Sequence, residues 1–109
     1  MTVNLYLMSA KGLRSLEAAV SSGFAPLINQ VCLAKDRHVV NDYSREIGSL
    51  CDEYGILWRD RSHAETLTRA DYSVAISWRW LIKKLPNLII MHDSLLPRYR
   101  GFAPLVSQL

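Results

Sequence analysis

The chain reads as an α/β protein, a doubly wound parallel sheet with helices on both faces, and three observations predict it. Short apolar runs recur at residues 3–8, 28–34, 56–58, 72–78 and 88–91. Stretches between the first three carry apolar residues at helical spacing. This alternation forces right-handed crossovers and therefore parallel pairing. With 109 residues, the chain has room for one domain with a modest core. Half the residues are hydrophobic and 21% charged, an ordinary globular balance.

Residues 3–8 are apolar apart from Asn4 and form the first strand. Ser9-Ala10-Lys11-Gly12 makes a turn, after which Leu13, Leu16 and Val20 lie along one helical stripe that Gly23 ends. The turn has two readings: a structural one, and an anion site at the amides of the helix start. Residues 28–34 form the second strand, with Val31 and Leu33 on one side and Cys32 on the other. Its polar exit includes His38, a solvated loop histidine or a ligand contact at a strand end.

Asn41 or Asp42 caps a second helix, whose inner stripe is Tyr43, Ile47, Leu50, Cys51 and Tyr54, with Gly55 as its stop. Residues 56–58 are the third strand. Ser62 and Glu65 have the spacing of a capping box around an exposed His63. Val74, Ala75 and Ile76 belong to a fully buried fourth strand, and Trp80, Leu81 and Ile82 leave it. Leu88, Ile89, Ile90 and Met91 are an unbroken apolar run, a strand buried on both faces or a piece of core helix. Residues 102–109 read as the start of a further helix.

Cys32 and Cys51 have neither metal-ligand nor redox spacing, so two buried thiols in a reducing cytoplasm are expected. No apolar run approaches the roughly twenty residues a bilayer requires, so no membrane partner is expected. A formal charge of +3 suits a solvated surface and is compatible with nucleotide, phosphate or RNA partners.

Directly after the last apolar run stands His92-Asp93-Ser94-Leu95-Leu96-Pro97-Arg98-Tyr99-Arg100-Gly101. Open parallel sheets gather ligands at the carboxyl ends of their strands. Two guanidiniums and a ring at such an end suit an anion or a flat ligand. The pattern His-x-Ser-Leu-Leu-Pro-x-Tyr-x-Gly resembles the signature of the folate-dependent formyltransferases, which act on methionyl-tRNA, glycinamide ribonucleotide or sugar nucleotides.

The resemblance implies a Rossmann-like N-terminal catalytic domain, partial over residues 1–109, that moves a formyl group from 10-formyltetrahydrofolate to a primary amine. It implies a catalytic role for His92, in proton transfer and oxyanion stabilisation. Folate contacts fall on Ser94, Leu95, Leu96 and Pro97, with Trp80, Leu81 and Ile82 as the opposite wall or as plain core. Substrate contacts fall on Gly12, Arg98 and Arg100, and no metal is implied. The amine is an amino-sugar nucleotide or methionyl-tRNA, and nucleic acid enters only in the tRNA branch.

Two departures from the family pattern lower the expected turnover. The family asparagine two positions before the histidine is Ile90 here, and the family aspartate would fall past Leu109. The alternative is a non-catalytic folate- or nucleotide-binding remnant, or an interaction subunit that self-associates through an incomplete sheet.

Overall fold

A computed structural model describes residues 1–36, 40–80, 82, 85–91 and 106–108, the last three by backbone only. The order is β1 (Val3–Leu7), α1 (Ser9–Ser21), β2 (Ile28–Leu33), α2 (Ser44–Glu53), β3 (Leu57–Asp60), β4 (Tyr72–Ile76), β5 (Leu88–Met91) and β6 (Val106–Gln108). Two 3-10 helices, Ala25–Leu27 and Arg61–Thr66, complete the regular structure among the described residues. The sheet order is β3-β2-β1-β4-β5-β6, parallel from β3 through β5, with β6 antiparallel to β5. The five parallel strands have the Rossmann-like order expected, with β1 at the point where the winding reverses.

Period-two alternation assigns the two faces. Leu7, Val31 and Leu33 point to the face covered by α1 and α2, where Leu16, Val20, Ile47 and Cys51 meet them. Tyr6, Cys32, Ala75 and Ile90 occupy one register row on the other face. The sequence predicts helices on both faces, but among the described residues both α-helices lie on the first, and the second is covered by Ala64 and Leu67 and by Trp78, Trp80, Ile82 and Leu85 from the β4–β5 connection. Cys32 and Cys51 are buried free thiols, as their positions in the stripes predict.

Asn4, the polar residue of the first strand, lies in register with Gln30 and Ser73, and all three are buried on the second face. Burial without partners would cost about 1–3 kcal/mol per group. Thr68 supplies partners: its carbonyl accepts from Asn4 Nδ2 at 2.7 Å and its N–H donates to Gln30 Oε1 at 2.7 Å. The segment entering β4 is thereby tied across the amino ends of β1 and β2.

Several local expectations are corrected. The turn at residues 9–12 is absent: Met8 is extended, Ser9 takes φ +66°, and α1 begins there. Gly12 is inside α1, buried, because the helix crosses β1 closely. A Cβ on Gly12 would lie 3.0 Å from Leu7 Cβ and 3.2 Å from Leu7 C. Tyr43 precedes α2 in a left-handed conformation, and Tyr54 is half exposed because the helix ends at Glu53. Asp42 serves the α2 start, accepting from Ser44 N–H at 2.9 Å, while Asn41 accepts from Tyr43 N–H.

Asp60, rather than Ser62, caps the 3-10 helix that follows β3, accepting from the Ser62 N–H at 2.9 Å. His63 is exposed as expected. In β4 Ala75 is fully buried while Val74 and Ile76 are half-buried, since the two α-helices lie mainly over the β1–β3 half of the sheet. β5 likewise buries Leu88 fully and the rest in part.

At residues 106–108 the helix expected over residues 102–109 is contradicted by β6, whose Ser107 pairs with Ile90 and whose Val106 pairs with Met91, and the rest of that stretch lies outside the described residues. The free backbone groups along β5 are the physical reason: pairing them outweighs a weak local helical preference. His38 lies outside the described residues. No helix among the described residues is long and apolar enough to cross a membrane.

Gly12→Val is expected to lower the unfolding free energy by roughly 1–3 kcal/mol through overpacking against Leu7. Gly12→Ala should cost less, because alanine recovers about 1 kcal/mol of helix propensity. Urea denaturation of the two variants reads the difference.

Candidate ligand groove at the carboxyl ends of the strands

Leu7 is in register with both Leu33 and Ile76, so the segments that leave β1, β2 and β4 emerge side by side. The two central exits are strained. Ser9 follows β1 with φ +66° and Ser77 follows β4 with φ +57°, both non-glycine residues in the left-handed region. Such residues collect at functional sites, held by the structure around them. Ser77 is held by its N–H, which donates to the Met91 carbonyl at 3.2 Å.

On the second face, the exits enclose a groove of about 370 Å³ lined by Tyr6, Trp78, Trp80, Ile82 and Leu85, with Arg61, Ala64 and Glu65 contributed by the 3-10 helix. Its wall is an aromatic relay. Tyr6 meets Trp78 edge to face at 5.4 Å and 75°, and Trp78 meets Trp80 at 5.4 Å and 70°. The Arg61 guanidinium lies 4.2 Å from the centroid of the Trp80 ring. Aromatic faces beside an exposed cation suit a planar ligand that carries an anion, because rings stack on indole and a guanidinium forks a carboxylate or phosphate.

Behind the groove, burial raises the Tyr6 phenol above its ordinary value, and Cys32 beneath it adds to the rise, so Tyr6 stays an O–H donor at neutral pH. At the end of β3, the Ser62 hydroxyl bonds Asp60 and holds that carboxyl below the usual range, with His63 reinforcing it. Above the end of β1, Arg79 Nη2 pairs with Asp36 Oδ2. A second hollow, of about 380 Å³, lies on the opposite face between α2 and β3, where Trp58 Nε1 donates to Asp52. No cluster of three or more metal-binding side chains occurs among the described residues.

Among the residues expected from the sequence, Trp80 and Ile82 line the groove together, and both also pack against the core of the second face. Gly12 sits across the sheet from it, packed on Leu7, with its N–H donated to Met8. Leu81, His92, Ser94, Leu95, Leu96, Pro97, Arg98 and Arg100 lie outside the described residues. Ile90 is half-buried in the apolar cluster beside Ala75 and Trp78, on the groove's face of the sheet.

No family model, curated protein or solved structure matches this chain. The chain is a small Rossmann-like α/β domain.

Tyr6, Arg61, Glu65 and the Asp36–Arg79 pair were not legible as site residues. Alternation marks Tyr6 as a neighbour of Asn4 and Cys32 on one face, which is the signal that could have found it. Arg61 and Glu65 carry no pattern of their own, since their place depends on how the 3-10 helix folds back.

Burial pushes both thiols up to about 12, from an ordinary value of 9.0. The folded chain therefore keeps protons that the unfolded chain has lost. Stability from this source is complete below pH 9 and falls as pH climbs toward 12. Denaturation midpoints across that window should decline, and a thiol reagent at neutral pH should label Cys32 and Cys51 only after denaturant is added.

Proposed function

We propose that this domain binds a reduced folate in the aromatic groove and belongs to formyl-transfer chemistry, from 10-formyltetrahydrofolate to a primary amine. The observation that carries the reading is the continuity of β5 with the motif. Leu88–Met91 is an inner parallel strand whose carboxyl end leads directly into His92-Asp93-Ser94-Leu95-Leu96-Pro97. The groove lined by Trp80 and Ile82, on the face of the sheet that carries Ile90 of β5, supports it.

In this reading the amine attacks the formyl carbon, the C–N bond to the folate nitrogen breaks, and the tetrahedral intermediate between them carries an oxyanion. His92 moves the proton from the attacking amine towards the departing folate nitrogen and hydrogen-bonds the oxyanion. On this reading Ser94, Leu95, Leu96 and Pro97, with Trp80, Leu81 and Ile82, would contact the pterin, and Arg98 and Arg100 would hold the anionic part of the substrate. An amino-sugar nucleotide is the preferred amine, ahead of methionyl-tRNA, because two guanidiniums suit a diphosphate.

Ile90 favours a second reading in which the groove binds folate without efficient turnover. It has no hydrogen-bonding atom where the formyltransferase pattern places an amide, and it packs among aliphatic and indole groups. Loss of one such donor costs on the order of a hundredfold to a thousandfold in rate.

The test is titration with 5-formyltetrahydrofolate while tryptophan emission is followed. Saturable quenching is expected, with affinity weakened roughly tenfold in Trp80→Ala, a change worth about 1.4 kcal/mol. Formylation of an amino-sugar nucleotide should be barely measurable in the wild type, faster in Ile90→Asn and absent in His92→Ala. Absence of any folate binding would overturn both readings, and rapid wild-type turnover would overturn the second.

A further inference from the structure

We propose that Asp36 is a positioning residue for the groove: its buried carboxylate anchors Arg79 and thereby sets the two indoles on either side of that arginine. Asp36 follows β2 and Arg79 follows β4, each equally far beyond its strand's last residue, Leu33 and Ile76. Those residues share register with Leu7, so the ion pair crosses the end of β1 from one neighbour to the other. The Asp36 side chain is 5% exposed and the Arg79 side chain 55%. A carboxylate buried to that degree demands a partner, which makes the anchor costly to release. The anchor is itself fixed, because the Asp36 N–H donates to Asp42 Oδ2 at 2.7 Å.

What the anchor holds is a segment that belongs to no helix or strand and that is tied to β5 by the Ser77 N–H. Residues 77–80 begin with the left-handed Ser77, and Trp78 and Trp80 flank Arg79 on the groove side. A change of φ or ψ at Arg79, which lies between them in the chain, would turn one indole relative to the other, so their mutual angle of 70° depends on how the Arg79 backbone is held by its tied guanidinium. In this role Asp36 acts through Arg79. The consequence for ligand affinity rests on the folate reading above, whereas the consequence for indole geometry does not.

The experiment compares wild type, Asp36→Asn, Arg79→Gln and the double variant by circular dichroism of the coupled Trp78–Trp80 pair, with Trp80→Leu marking the signal that pair contributes. Both single variants should lose most of the exciton couplet while retaining cooperative unfolding, and the double variant should lose no more than either. Their affinity for 5-formyltetrahydrofolate should fall roughly tenfold, as loss of a charged hydrogen bond would give. Because the guanidinium left by Asp36→Asn is half exposed and water can take the place of its partner, Asp36→Asn carries the test if Arg79→Gln, which strands the buried carboxylate, fails to fold. An intact couplet in folded Arg79→Gln or Asp36→Asn overturns the positioning role. Failure of the wild type to bind folate, with the couplet lost in both variants, overturns the folate reading and leaves the positioning role standing.

Discussion

The shared register of β1 with both of its neighbours is the constraint on which the remaining architecture rests. Leu7 pairs level with Leu33 and Ile76, and Tyr6 pairs level with Cys32 and Ala75. A slip of one residue would exchange the faces of β1, sending Tyr6 under the helices and Leu7 into the groove. The polar tie at the opposite end resists that slip. Asn4 bonds Thr68 and accepts from Asn29, while Gln30 accepts from Thr68, so the amino ends of β1 and β2 and the segment entering β4 are pinned in one alignment.

From that alignment the two faces acquire different coverings and different capacities. Two amphipathic helices bury aliphatic residues against Leu7, Val31 and Leu33, and this side supplies the close-packed core. On the other side, a 3-10 helix and the β4–β5 connection bring two indoles and a guanidinium over Tyr6, Cys32 and Ala75. That covering is irregular and leaves a groove. The Asp36–Arg79 pair joins the two carboxyl-end segments above β1. Its net contribution to stability is small, because desolvation of the carboxylate offsets the attraction, but removing one partner alone is costly.

The parallel sheet was legible in the sequence because alternation of apolar runs and helical stripes is a local pattern repeated along the chain. The opposite facings of Val31, Leu33 and Cys32 were legible for the same reason. The exits were less so. Ser9 and Ser77 adopt left-handed conformations imposed by the packing around them, and neither serine announces this locally. Gly12 looked like a turn glycine and is instead a contact glycine, a distinction that depends on how closely α1 crosses β1. The capping role of Asp60, two residues before the serine expected to hold it, follows from where β3 ends. β6 was missed because its pairing is non-local: nothing near Val106 specifies β5 as its partner. Of the groove, Trp80 and Ile82 were legible, while Arg61 and Asp36 reach their places through tertiary structure.

The proposed ligand, a planar folate, would sit on the indoles of the second face. Trp78 and Trp80 line or back that groove, whereas Trp58 lies across the sheet with its indole N–H committed to Asp52. Indole N–H resonances, followed by NMR during titration with 5-formyltetrahydrofolate, separate these positions directly. The account predicts that the Trp78 and Trp80 signals move and saturate together while the Trp58 signal stays in place. Movement of Trp58 alone, or of none of the three, would contradict it.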